Sequence, residues 1–142
     1  MIELEGEELH PIKLGHTDTA STTCLHVPSQ GLIAAGDSVY NDIHLSLHDS
    51  TASTRANWVH ALDEMAALKP RTVIAGHKRP ERADDPAELA GTREYLEPFE
   101  RVLASSETPR YLFEEMVSLY PDRHYRGTMW ASARAQVYAA SV

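Results

Sequence analysis

The sequence predicts an α+β fold, with a small sheet in residues 1–77 and helices in residues 78–142. Two patterns lead to this prediction. Short apolar and β-branched runs bounded by Gly or Pro, which are typical of strands, recur up to residue 77. Beyond that point, apolar residues recur mainly at helical spacing. Because the chain has 142 residues, 42% of them hydrophobic, a single domain with a buried core is expected.

Four strands are predicted. Alternation of apolar and polar residues indicates a strand over 8–14, which ends at Gly15. The run TTCLHV at 22–27 is rich in β-branched residues and is closed by Pro28. The apolar run LIAA at 32–35 lies between two glycines, and TVIA at 72–75 is stopped by Gly76.

Four helices complete the prediction. Ser53 is a candidate N-cap for a helix over 53–68, in which Trp58, Leu62 and Met65 fall on one face. Because this helix precedes the strand at 72–75, it is expected to pack on the sheet. The remaining helices are predicted to open at Asp85-Pro86 and to cover 109–119 and 129–140.

Charge and cysteine content narrow the class of protein. Thirteen Lys and Arg against twenty-one Asp and Glu give a net charge of −8, which disfavours nucleic acid and anionic membranes as partners. The single cysteine, Cys24, excludes an internal disulfide framework and a Cys-based zinc finger. The first residues lack the pattern of a signal peptide, and no apolar run approaches the roughly 20 residues that span a bilayer. A cytoplasmic protein without membrane attachment is therefore expected.

Three segments repeat one pattern, in which a predicted strand runs into Gly and a potential metal ligand follows. They are LGHTD, AAGDS and IAGHK, and the ligands are His16, Asp37 and His77. A strand end fixes position, and Gly allows the tight turn that projects the next side chain from the sheet edge. Imidazole and carboxylate suit Zn²⁺ and related divalent ions. A lone His or Asp after Gly is more often a turn residue, so the order and spacing of the three carry the hypothesis.

These segments, read as GHTDTASTTCLHVPSQGLIAAGDSVYND followed by TVIAGHKRP, resemble the C-terminal half of metallo-β-lactamase-fold hydrolases. The resemblance implies half of an αββα sandwich and up to two Zn²⁺ ions. It implies that His16 binds the first metal, that His77 binds the second and that Asp37 is shared by both. Asp37 would then be the catalytic residue, orienting a metal-bound hydroxide that attacks an ester, thioester, lactone or related bond in a small-molecule substrate.

The same resemblance suggests residues near the substrate. Tyr40 and His44 follow Asp37 in the stretch that would lie beside the site, and Lys78 next to His77 could attract an anionic substrate group. The alternatives are core packing for Tyr40, a loop position or a metal-binding pair with His48 for His44, and an exposed basic turn for Lys78.

The resembling family also has an HxHxDH motif upstream of the GHT turn, and residues 1–15 do not contain it. Neither metal would then have a closed ligand set, and weak or partial zinc binding is expected. The chain is therefore interpreted as a partial domain: a fragment, one part of a split enzyme completed by a complementary chain, or a module that pairs as a homodimer. The alternative function is a non-catalytic half-domain that dimerises or docks to such a chain.

Overall fold

The structure, a computed structural model that describes residues 1–140, contains one five-stranded sheet and four α-helices, so the α+β prediction is confirmed. The strands are β1 (Ile2–Leu4), β2 (Glu7–Gly15), β3 (Thr22–Val27), β4 (Leu32–Asn41) and β5 (Thr72–Lys78). They lie side by side in chain order. The pairs from β1 to β4 are antiparallel, whereas β4 and β5 are parallel.

Three strands differ from the prediction; one of them is β5, which was predicted to stop at Gly76 but continues to Lys78. β1 was not predicted, because three residues are too few for a periodic signal; it forms a hairpin with β2 around Glu5 and Gly6, both with positive φ. β4 was predicted to end at residue 35, but it continues to Asn41. Gly36, with φ of +57°, takes up a bulge at which the pairing with β5 changes register, so the strand passes the glycine instead of stopping there.

The helices are α1 (Ala52–Ala67), α2 (Ala87–Ala104), α3 (Pro109–Leu119) and α4 (Arg126–Ala140), in the predicted order. The predicted N-cap of α1 was wrong. Thr51, not Ser53, caps the helix, because its hydroxyl accepts from the Thr54 N–H at 3.2 Å while the Thr54 hydroxyl accepts from the Thr51 N–H at 2.8 Å. None of the helices within the described residues is both long enough and apolar enough to cross a bilayer.

One face of the sheet packs against α1 and α2, and α3 and α4 pack behind them. Trp58 of α1 is completely buried, and its Nε1 donates a hydrogen bond of 2.8 Å to the Ser38 carbonyl of β4. This bond and the surrounding apolar contacts fix α1 against the strand that carries Asp37. The helical layer thus holds β4 in place from behind.

No helix of residues 1–140, the part that the structure describes, lies on the opposite face of the sheet. Pro11, Leu25, Ala34 and Ile74 lie directly opposite one another across β2, β3, β4 and β5, and so share a face. Pro11 and Ile74 are exposed, and Leu25 and Ala34 are half-buried. The structure therefore presents an open sheet face with an apolar row across its middle.

Candidate metal centre

Two predicted ligands, Asp37 and His77, lie on neighbouring parallel strands. Each follows a glycine, as the sequence suggested, but both lie inside their strands, β4 and β5, and not after a strand end. The bulge at Gly36 offsets β4 so that Asp37 comes close to the end of β5. His77 Nε2 lies 3.3 Å from Asp37 Oδ1, and both side chains are about half exposed. They can therefore reach the same ion at the surface.

Gly76 makes this approach possible. A Cβ at this position would lie 2.3 Å from Asp37 Oδ1, 2.6 Å from the Gly36 carbonyl carbon and 2.8 Å from the Asp37 nitrogen. Side-chain carbons do not come so close to other heavy atoms, so only glycine allows β5 to lie against β4 here. The glycine before His77 thus has a packing role besides its conformational freedom.

A third carboxylate joins the pair. Asp18, Asp37 and His77 each offer a ligand atom, and these atoms all lie within 4.8 Å of one another. Asp18 lies in the loop between β2 and β3 and is only 5% exposed. Sequence reasoning did not single it out, although it stands two residues after His16 in the GHTD segment. Only the fold of this loop brings Asp18 next to Asp37 and His77.

The pKa of Asp18 is raised above its ordinary value. Burial contributes most, and the neighbouring charge of Asp37 adds to it. Hydrogen bonds from the Thr19 N–H and from nearby hydroxyls act in the opposite direction. Two carboxylates in a partly buried site repel each other, and a cation between them would relieve that repulsion.

His16 lies directly after β2, as predicted, but it does not belong to the group within 4.8 Å. Its backbone is fixed by Asn57 of α1, whose amide nitrogen donates to the carbonyls of Leu14 and His16 at 2.9 and 2.8 Å. His16 Nε2 is buried and has no hydrogen-bond partner among the described residues. A buried imidazole nitrogen without a partner fits a metal ligand whose ion is needed to satisfy it.

Tyr40 contacts two members of the group. Its ring stacks on His77 with 4.8 Å between the ring centroids, and its hydroxyl lies 3.3 Å from Asp18 Oδ2. The residue is 1% exposed, and burial raises the pKa of its hydroxyl, so the phenol stays protonated. Tyr40 therefore lies beside the candidate ligands and reaches them from the protein interior, and its contact with substrate stays a prediction.

The other two predicted substrate contacts are engaged elsewhere. His44 is completely buried, and its Nδ1 lies 2.9 Å from the Tyr95 hydroxyl. Burial lowers the pKa of His44 to about 4, so the ring is neutral at physiological pH. Lys78 is half-buried and pairs with Asp84 at 2.7 Å. In this arrangement His44 is a core residue and the Lys78 charge is compensated, so their contact with substrate stays a prediction.

The fold and this cluster define a protein with a potential divalent-metal centre at the edge of a mixed sheet. Residues 1–77 match the family model of the metallo-β-lactamase superfamily. This match covers more than half of the chain, and the chain therefore belongs to the metallo-β-lactamase superfamily. A search of curated proteins gives no significant match.

Three solved structures show the same fold. A metallo-β-lactamase family protein from Thermus thermophilus is 20% identical with a TM-score of 0.66, and the match covers 99% of this chain and 46% of that one. A metallo-β-lactamase from Pontibacter korlensis is 20% identical with a TM-score of 0.54, covering 68% and 44%. A stereoselective inverting sec-alkylsulfatase from Pseudomonas sp. is 16% identical with a TM-score of 0.61, covering 97% and 25%. The chain thus spans less than half the length of each.

Proposed function

We propose that this chain carries the second half of the active site of a metal-dependent hydrolase, with zinc as the metal. The observation that carries the proposal is the approach of Asp37 and His77 from parallel strands to within 3.3 Å, at a glycine that no other residue can replace without a clash. Superfamily membership and the buried, unpaired Nε2 of His16 support it. The substrates in this proposal are small molecules with an ester, thioester, lactone or related bond.

The residues have separate roles in this proposal. His16, Asp37 and His77 hold the metal, which when bound lowers the pKa of a coordinated water to about 7 and polarises the scissile bond. Asp37 is the catalytic residue, because its half-exposed carboxylate can also accept a hydrogen bond from the attacking water and orient it. Lys78 contributes positive charge near the substrate once its pairing with Asp84 loosens. A cytoplasmic location is part of the proposal and is supported by the lone, buried Cys24.

Metal content tests the ligand assignment. We expect the purified chain to take up zinc when dialysed against it, and the Asp37→Ala variant to lose most of this zinc because a central ligand is gone. Asp63→Ala is the matched control: Asp63 is an exposed carboxylate that pairs with Arg93 on the surface of α1 and α2. Equal zinc in wild type and Asp37→Ala would reject the assignment.

Hydrolysis of generic ester and thioester substrates tests competence. We expect little or no turnover by the 142-residue chain alone, because three candidate ligands on one side of a two-metal site leave each metal incompletely bound. Rapid zinc-dependent turnover by a monomer would contradict the half-site part of the proposal. The metal-dependent part would stand in that case.

A second candidate function, a non-catalytic half-domain that forms a homodimer, is favoured by the open sheet face. Two copies could cover the row of Pro11, Leu25, Ala34 and Ile74 with the same row, as a two-fold interface requires. Sedimentation velocity over a concentration series tests this. We expect a dimer that Ile74→Lys dissociates and that Leu119→Lys, a change at an exposed site on α3, leaves intact. A wild-type monomer at all concentrations would reject the homodimer.

A further inference from the structure

Asp18 is a buried carboxylate that no cationic side chain within residues 1–140 contacts as an ion pair. Only 5% of the residue is exposed, and no Lys or Arg forms an ion pair with it in the part of the chain that the structure describes. Its partners are the Thr19 N–H and three hydroxyl groups: those of Thr17 and Thr19 lie 3.3 and 3.4 Å from Oδ1, and that of Tyr40 lies 3.3 Å from Oδ2. Long, neutral contacts of this kind offset little of the cost of burying a charge.

The second observation is that other potential metal ligands lie close to this carboxylate. A ligand atom of Asp18 lies within 4.8 Å of ligand atoms of both Asp37 and His77, and His16, with its unpartnered Nε2, precedes Asp18 by two residues in the same loop. Asp37 adds a second carboxylate to the cluster, and His77 adds an imidazole nitrogen. A divalent cation would be the missing partner of this cluster.

We propose that Asp18 is a ligand of the metal centre and that Tyr40 is the residue that positions it. This inference rests on the proposed function, because it assigns further residues to the same site. The three-residue set of Asp18, Asp37 and His77 comes entirely from this chain, and it supplies one imidazole nitrogen and carboxylate oxygens from two aspartates.

Tyr40 is suited to the positioning role because it links two of the ligands. Its hydroxyl donates to Asp18 Oδ2, whereas the threonine hydroxyls donate to Oδ1. Its ring stacks on the His77 imidazole and restricts the tilt of that ring. Residues that hold ligands in this way typically change metal affinity by about 10-fold to 100-fold when they are removed.

The donor set also predicts a metal preference. Carboxylate oxygens suit harder ions such as Mn²⁺, whereas imidazole suits Zn²⁺ more strongly. Adding Asp18 to the centre therefore raises the affinity for Mn²⁺ relative to Zn²⁺. Loss of Asp18 as a ligand should lower the affinity for Mn²⁺ more than that for Zn²⁺, and a purely structural role would not produce this difference.

The experiment measures dissociation constants of the full 142-residue chain for each metal alone, Mn²⁺ by electron paramagnetic resonance and Zn²⁺ by calorimetry. Asp18→Asn keeps the shape and the hydrogen bond from Tyr40 but removes the charge, and Tyr40→Phe keeps the stacking but removes the hydroxyl. Asp63→Asn and Tyr120→Phe are the controls. Tyr120 matches Tyr40 because it also stacks on a ring, that of Tyr95, and donates a hydrogen bond, here to the Glu94 carbonyl.

We expect Asp18→Asn to weaken Mn²⁺ binding by at least about tenfold, and Zn²⁺ binding by less, and Tyr40→Phe to weaken both by about tenfold. The controls should bind as wild type. Urea unfolding in EDTA checks folding: Asp18→Asn should be as stable as wild type or more stable, because a poorly compensated buried charge is gone.

Asp37→Asn separates the two hypotheses. If Asp37→Asn loses metal while Asp18→Asn and Tyr40→Phe bind both ions as wild type does, the inference is wrong and the proposed function stands. If wild type binds neither ion more tightly than Asp37→Asn does, the metal-dependent function itself is rejected, and the proposed role of Asp18 as a ligand is rejected too.

Discussion

Replacing Gly76 with alanine is the sharpest test of how the fold builds the centre. The added methyl group would lie 2.6 Å from the Gly36 carbonyl carbon and 2.8 Å from the Asp37 nitrogen, both backbone atoms of β4. It would also lie 2.3 Å from Asp37 Oδ1. A flexible side chain could swing away, but a strand held in the middle of a sheet cannot do so cheaply.

The size of the effect follows from these distances. Ordinary contact begins at 3.4 Å, so β4 and β5 must separate locally by about 0.8 Å to relieve the closest backbone contact. Overpacking of a well-packed region costs about 1–3 kcal/mol, and we expect the upper half of this range because backbone is displaced. The same shift moves Asp37 relative to His77, so zinc affinity should fall at least about tenfold.

Urea unfolding and zinc titration of the same variant measure both effects. Gly127→Ala is the control, since a Cβ at Gly127 meets nothing within 4 Å and the residue lies in α4. That change should not affect zinc binding, and it should raise the free energy of unfolding by no more than about 1 kcal/mol. A Gly76→Ala protein with the unfolding free energy and zinc affinity of wild type would show that the described approach of β5 to β4 is incorrect.

Three further predictions concern the support behind the site. Trp58→Phe should lower the free energy of unfolding by about 1–3 kcal/mol, because the Ser38 carbonyl loses its buried donor; an unchanged urea midpoint would contradict this. The pKa of His44 is about 4 in the folded chain and about 6.5 in the unfolded chain. The free energy of unfolding should therefore be highest above pH 6.5 and fall by up to about 3 kcal/mol towards pH 4, and His44→Gln should reduce this pH dependence. Arg55→Met should cost about 2 kcal/mol, since the buried guanidinium that pairs with half-exposed Glu100 is removed; a change within error would mean that the pair contributes nothing.

Much of the secondary structure was predictable because it depends on neighbouring residues. β3 and α3 have the predicted bounds, and the predicted cores of β2, β5 and α1 lie within one to three residues of the observed ends. The errors arose where local signals were ambiguous. Glycine usually ends a strand, but Gly36 carries a bulge instead, and Thr51 and Ser53 are equally plausible caps until the hydroxyl geometry is known.

The sequence by itself determined the element order, the superfamily resemblance and three candidate ligands, because glycine turns and ligand spacing are local features of the sequence. Only the tertiary structure decided which of them meet. The parallel pairing of β4 with β5 brings Asp37 to His77 from a distant part of the chain, and the fold of the β2–β3 loop adds Asp18 and leaves His16 outside the group within 4.8 Å. It also turned Tyr40 inwards and buried His44. Such contacts depend on register, bulges and side-chain burial, which arise from pairings between distant segments and leave no local pattern to read.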